Sequence, residues 1–235
     1  MESDRIVKRL AIITARGGSK RIPRKNIKEF NGRPIMTYSI DAAIGSGVFD
    51  KVMVSTEDEE IAAIAKEYGA EVPFYRSEIT AGDYATTADV IEEVLEQYRV
   101  MGEEFEMAAC IYPTAPFVTS ERLKDAVDML TESDGDSLIP VVRFSFPPQR
   151  AMEIQDGKLI FRQIEYMDSR SQDLTPHFHD VGQFYVFRTE SFLRNHRIMA
   201  GKMIPMELSE LEVQDIDNPV DWRLAELKYK LIHEK

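Results

Sequence analysis

Cysteine is almost absent: Cys110 is the only one in 235 residues. No intramolecular disulfide can form, and a cysteine-based metal site is excluded. A single thiol suits a reducing compartment. Long apolar runs are missing too. The stretch inside MESDRIVKRLAIITARGG is too short for a signal peptide, and no run approaches a membrane span. The chain is therefore expected in the cytoplasm, with no membrane partner. Positive charge is the third deficit: 29 Lys and Arg face 41 Asp and Glu, for a net charge of −12. This argues against a general nucleic-acid binder, which needs a basic face for phosphates. A small anionic ligand stays open, because a local basic cluster works inside an acidic protein.

What is present reads as an α/β fold. Leu10 to Ala15 is a short, partly β-branched apolar run that ends in Arg-Gly-Gly-Ser, as a buried strand entering a loop does. Lys51 to Thr56, Met107 to Tyr112 and Ser137 to Val142 are similar strands. Between them, Ile35 to Ala43, Glu57 to Tyr68, Thr87 to Arg99 and Ser120 to Leu130 carry helical spacing. Ser120 is the expected N-cap of the last of these. Val72 to Tyr75 is a candidate short strand. Alternating strands and helices imply a mostly parallel sheet with helices on both faces, and ligands at the strands' carboxyl ends. The rhythm breaks at Pro147 and Pro148. Residues 143–180 read as a small insertion in one domain spanning 1–235. Gly182 to Arg188 returns to strand, and Pro219 to His233 forms the last helix.

The densest feature is Ala15 to Asn26, ARGGSKRIPRKN. Arg16, Lys20, Arg21, Arg24 and Lys25 surround Gly17, Gly18 and Ser19 directly after the first strand. Adjacent glycines allow close approach of backbone N–H groups, which form an anion nest, and the cations add charge and forked donors. The order of residues matches neither the Walker loop nor the dinucleotide fingerprint. A solvated basic patch is the plainer alternative. The position after a buried strand, in an acidic chain, favours a triphosphate cradle.

This loop resembles the signature of the CMP-sialic acid synthetase family, the acylneuraminate cytidylyltransferases. The resemblance runs on through FDKVMVSTEDEEIAAIAKEYGAEVPFYR and YPTAP to VQDIDNP, in the family's order over nearly the whole chain. It implies a Rossmann-like nucleotidyltransferase fold, CTP and a sialic-acid-like sugar as substrates, Mg²⁺ as cofactor and a homodimer. It also implies triphosphate contacts for Arg16, Ser19 and Lys25, a position near the nucleotide for Asn26, and positions around cytosine and ribose for Arg76 and Thr87. Arg76 as a plain ion-pair partner and Thr87 as a helix cap are the alternatives. Gly17 and Gly18 belong to the same nucleotide-binding loop, and Arg16, Lys20 and Lys25 are expected to stabilise the leaving pyrophosphate.

Asp215 and Asp217 stand at i and i+2, on one side of an extended segment, where hard carboxylate oxygens suit Mg²⁺. Asp217-Asn218-Pro219 also reads as a helix start with Pro at its first position, and both readings can hold. The resemblance implies metal ligands at Asp215 and Asp217. On the sugar side, Tyr112 stands where many sialic acid synthetases have Gln. FSFPPQR (144–150) and FHDVGQF (178–184) look like the pseudaminic acid branch. His179, Asp180 and Gln183 are then expected to bond a polyhydroxylated acylamino sugar, and Arg150 its carboxylate. The insertion is expected to contribute to dimerisation and to the sugar site. N-acetylneuraminate, legionaminate or an octulosonate is the alternative acid. A metal-dependent glycosyltransferase and a non-catalytic nucleotide-binding module are the readings from other classes. Pyrophosphate as the product separates the main reading from both.

Overall fold

The computed structural model describes residues 8–233. The ends of the expected 1–235 domain, and part of the segment weighed against a signal peptide, lie outside those residues. Arg9–Thr14 forms β1, followed by the two-residue strands β2 (Glu29–Phe30) and β3 (Arg33–Pro34), then α1 (Met36–Ser46). Next come β4 (Lys51–Ser55), α2 (Glu59–Glu67), α3 (Glu78–Ala81), α4 (Thr87–Val100), β5 (Met107–Ile111) and α5 (Ser120–Thr131). β6 (Ser137–Arg143), the hairpin β7 (Met152–Gln155) and β8 (Lys158–Phe161), β9 (Phe178–Asp180) and β10 (Phe184–Arg188) follow. The chain closes with α6 (Thr189–Asn195), β11 (Met203–Glu207) and α7 (Pro219–His233).

The main sheet runs β11-β6-β10-β5-β1-β4, with β9 paired to β6. β1 is parallel to β4 and β5, and β11 is parallel to β6. β10 lies antiparallel between β5 and β6. The sheet is thus mostly parallel, as expected, with two reversed strands, β10 between β5 and β6 and the short β9 beside β6.

Alternation along β1 shows why it is central. Ala11 and Ile13 pack on one face against Met36 and Ile40 of α1, Ile61 of α2 and Leu123 of α5. Leu10 and Ile12 pack on the other face against Ile91, Val94 and Tyr98 of α4 and Phe192 of α6. All four strand residues are fully buried, the pattern of a strand covered on both faces. A third cluster sets Ile22 of the basic loop with Phe30, Tyr38, Ile216 and Trp222. Phe30 meets Tyr38, Trp222 and Tyr229 edge to face at 5.5–5.6 Å, the favoured aromatic geometry.

Local chemistry shifts several expected boundaries. Asp58 accepts from Ile61 N–H and caps α2, so Glu57 stays outside the helix. Thr119, one residue before Ser120, caps α5. Thr86 forms a capping box with Asp89 at α4, which leaves Thr87 free of that duty. Residues 72–75 form no strand; a single bridge joins Met53 to Glu71. β11 and α6, unassigned from the sequence, extend the sheet edge and cover one face. Among the described residues no helix is long and apolar enough to cross a membrane.

Candidate active site

A cleft of about 560 Å³ opens at the carboxyl ends of β1 and β5. Thr14, Arg16, Ser19, Lys20, Arg21, Ile22, Lys25 and Asn26 form one wall. Arg76, Thr80, Asp83 and Thr87 form a second, Tyr112 to Thr114 the floor, and Gln214, Asp215 and Asp217 the far side. A smaller cavity of about 290 Å³ shares Gly182, Gln214 and Asp215 with it and adds His179, Asp180 and Val213. The two together make one groove with a basic end and a mixed polar end.

Cations and carboxylates alternate across the basic end. Lys20 Nζ donates to Asp83 at 2.5 Å, and Arg16 lies 3.6 Å from the same carboxylate. Arg21 donates to Asp217 at 2.7 Å. Lys25 donates to the Ile216 carbonyl at 2.7 Å and sits 3.9 Å from Asp217. Removal from water lowers the Lys25 pKa, and the Asp217 and Asp215 charges oppose that shift. Contact with Lys20 holds the Asp83 carboxyl below its ordinary value.

The loop also departs from the expected nest. Gly17 and Gly18 do not line the cleft. Gly17 N–H donates to Glu57, and Ser19 N–H donates to the Gly17 carbonyl at 3.0 Å. Those two donors are thus spent inside the protein, while the side chains of Arg16, Lys20, Arg21 and Lys25 line the cleft. A Cβ at 17 would stand 2.7 Å from Asp58 Oδ2, so a larger residue there would have to displace the carboxylate that Arg24 and the α2 cap hold. Arg24 is turned away as well. It adopts a left-handed backbone, φ 53°, and forks onto Asp58 and Glu60.

Arg76 is buried, donating to the Ser55 hydroxyl at 3.1 Å and the Ser55 carbonyl at 2.7 Å. Burial lowers its pKa. Of the two readings weighed for it, the plain ion pair is not found among the described residues, and Arg76 lines the cleft wall. Thr87 Oγ1 lies 3.4 Å from the Tyr112 hydroxyl. Tyr112 packs edge-on to Tyr185, whose hydroxyl donates to Asp180 at 2.6 Å. Tyr185, missed in the sequence, therefore connects the two ends of the groove. Its signal was weak: one aromatic in an apolar strand reads as core. Asp83 was missed because a Gly-Asp turn before a helix has no distinctive chemistry. Below the floor, Cys110 is sealed in, and burial pushes its thiol up to about 12.

Two expected sugar contacts are placed otherwise. Gln183 is buried and donates to the Glu212 carbonyl at 2.7 Å, tying β10 to the segment before Asp215. Arg150 is exposed in a short turn at 148–150 and lines neither cavity. His179 and Asp180 do border the groove, and the His179 ring lies 4.7 Å from that of Phe144.

Asp215 and Asp217 flank Ile216, whose side chain is sunk in the third cluster at 1% exposure. The extended backbone therefore turns both carboxylates to the cleft. Asn218, not Asp217, caps α7, accepting from Val220 and Asp221 N–H at 2.8 and 3.1 Å. Partial removal from water, then the Asp217 charge, push the Asp215 carboxyl upward. Among the described residues no group of three or more His, Cys, Asp or Glu gathers to hold a metal. Two hard oxygen ligands with room beside them fit Mg²⁺, which takes one or two carboxylates and completes its shell with phosphate oxygens and water.

A cytidylyltransferase family profile matches residues 10–230. A pseudaminic acid cytidylyltransferase of Campylobacter jejuni is 38% identical over 229 residues, covering 97% of this chain and 99% of that protein. A CMP-N,N'-diacetyllegionaminic acid synthase of Legionella pneumophila is 31% identical, covering 96% of this chain and 97% of that protein. Among solved structures, a CMP:2-keto-3-deoxy-manno-octonic acid synthetase complexed with CTP superposes with a TM-score of 0.67 at 16% identity. It covers 97% of this chain and 100% of the other. That likeness establishes the fold.

Proposed function

This chain belongs to the cytidylyltransferase family, and on that premise we propose that it transfers CMP from CTP to a nine-carbon, sialic-acid-like sugar acid. Pseudaminic acid is the first candidate, in line with the name of the 38%-identical relative. The observation that carries the reading is the groove itself: four cations on one wall and two aspartates facing them, with a polar extension beyond Tyr112.

The anomeric hydroxyl of the acid attacks the α-phosphorus and gives up its proton to solvent, and pyrophosphate leaves with the electrons of the broken Pα–O bond. Arg16, Lys20, Arg21 and Lys25 neutralise charge on the leaving group, and Asp83 and Asp217 keep those side chains in place beforehand. Mg²⁺, when held by Asp215 and Asp217, supplies Lewis-acid polarisation of phosphate oxygens. Arg76 and Thr87 border the nucleoside; Tyr112, His179 and Asp180 border the sugar.

The chain is read as one domain with 143–180 as its insertion. That insertion exposes Phe146 (87%), Ile154 (78%), Leu159 (62%) and Ile164 (67%). Apolar surface gathered in this way usually marks an interface, so a homodimer is proposed in which a partner covers the hairpin. In that dimer Arg150, which lines neither cavity of its own chain, is proposed to serve the partner's site. A cytoplasmic setting agrees with the single, buried thiol. The deciding assay is pyrophosphate release from CTP with a panel of acids: pseudaminate, legionaminate, N-acetylneuraminate and an octulosonate. No release with any of them defeats the proposal, and a preference for legionaminate would move the assignment to the second relative's chemistry.

A further inference from the structure

The peptide unit between Arg16 and Gly17 is held at both ends by side chains. Its carbonyl, on Arg16, accepts from Asn26 Nδ2 at 2.8 Å. Its N–H, on Gly17, donates to Glu57 Oε1 at 2.7 Å. Two bonds on opposite edges of one planar group define its orientation. Rotating the plane would turn the carbonyl oxygen toward the Glu57 carboxylate, and both are acceptors.

Glu57 reaches this place because of sheet register. Thr14 of β1 stands beside Ser55 of β4, and Ala15 N–H donates to the Ser55 carbonyl at 3.0 Å. Two residues further on, Arg16 and Gly17 leave the sheet next to Glu57. Because Asp58 caps α2, Glu57 is free of the helix and bends back under the loop. Its second oxygen, Oε2, is buried with no hydrogen-bond partner among the described residues. Burying a polar atom unpaired is costly, so this acid is not optimised for stability alone. Glu57 does not line the cleft, whereas Arg16 and Ser19, on either side of Gly17, do.

We propose that Glu57 is a positioning residue: by fixing the Arg16–Gly17 peptide plane from behind, it aims Arg16 and Ser19 at the triphosphate. Its neighbours in the turn complete the strap. Asp58 packs against Gly17, and Asp58 and Glu60 hold Arg24 at the far end of the loop. The inference rests on the reading of the cleft as a CTP site.

Glu57→Ala removes the acceptor, Glu57→Asp keeps the charge but is one methylene short, and Glu57→Gln keeps an acceptor without charge. In pyrophosphate-release assays, E57A and E57D are expected to raise KM for CTP about tenfold, the loss for one well-made bond to a charged group. KM for the sugar acid should stay within about twofold, and E57Q should recover CTP affinity to within about threefold of the parent. Thermal melts establish that each variant is folded. A merely structural role would lower Tm without separating the two KM values. Should E57A unfold, the contrast between E57D and E57Q still decides. A parental KM for CTP in E57D, or an E57Q as impaired as E57D, overturns the proposal. If the parent protein releases no pyrophosphate with any acid, the functional reading fails. Calorimetric CTP affinities of the parent, E57D and E57Q then test Glu57 on their own, and equal affinities would overturn it.

Discussion

Lys25 Nζ lies 3.9 Å from Asp217 Oδ1 and 2.7 Å from the carbonyl of Ile216. The loop after the first strand and the segment before the last helix, 191 residues apart, thus meet at one ammonium. Replacing it should disable the cleft while sparing the fold, since its bonds lie at the rim of the core. Lys25→Ala is expected to lower kcat/KM by about 10²-fold, as when a charge-stabilising donor is lost. Tm should move by no more than about 3 °C. Pyrophosphate release and a thermal melt on the same preparation check both halves.

Asp217 has two jobs in the proposed mechanism, holding Arg21 and Lys25 and offering an oxygen to Mg²⁺. Losing even a supporting partner of a metal ligand costs about tenfold in metal affinity. Asp217→Asn and Asp215→Asn should each raise the Mg²⁺ concentration for half-maximal activity by at least that factor. EDTA should abolish turnover in the parent. Activity that persists after chelation would remove the metal from the scheme.

Much of the site was legible because its chemistry is concentrated. Five cations in Arg16 to Lys25 within an acidic chain, and two aspartates astride Ile216, are patterns a sequence displays directly. Side-chain direction was not legible. Arg24 looked like its neighbours, yet a left-handed backbone turns it to Asp58. Gln183 looked like a sugar contact, yet its amide is spent on the Glu212 carbonyl. Both outcomes depend on partners 34 and 29 residues away, which no local pattern reveals. The parallel core was read correctly from apolar runs bounded by turns. β11 was missed because MIPME, with a proline and mostly exposed positions, carries no buried-strand signature.

The hydroxyl of Tyr185 offers a test of the sugar end. Its 2.6 Å bond to Asp180 is the fixed link between the floor and the polar extension. A hydrogen bond to a charged group contributes about 1.5–3 kcal/mol. Tyr185→Phe should therefore raise KM for the sugar acid about tenfold and leave KM for CTP within about twofold. Steady-state kinetics with each substrate varied in turn give the comparison, and an equal rise in both constants contradicts this role.

The ion pair of Arg24 with Asp58 should keep its contribution to stability down to strongly acid pH. The Arg24 guanidinium, donating to Asp58, holds that carboxyl at about 2 against an ordinary 3.8. A carboxyl with a depressed folded-state value stabilises fully above its unfolded value and loses that contribution as pH falls toward about 2. With Arg24 partly in solvent, about 1 kcal/mol is expected at neutral pH. Denaturant melts of the parent and Arg24→Met across this range should differ by that amount at pH 6–7 and converge near pH 2.

The hairpin gives the assembly prediction. Ile154→Asp with Leu159→Asp places charge in the proposed contact. Light scattering should report a species near 26.9 kDa, against twice that mass expected for the parent as the proposed dimer. Loss of sugar-acid turnover with CTP binding retained would show the partner's contribution to the site.

Ile216 carries a further consequence. Its side chain, between the two aspartates, sits in the same apolar cluster as Ile22 of the basic loop and Trp222 of α7. The basic wall and the aspartate wall of the cleft therefore share one keel and should not loosen separately. In amide hydrogen exchange, protection at Ile22 and Ile216 should rise and fall together, as one cooperative unit. Thinning that keel, by Trp222→Leu, should splay the jaws of the groove as a pair.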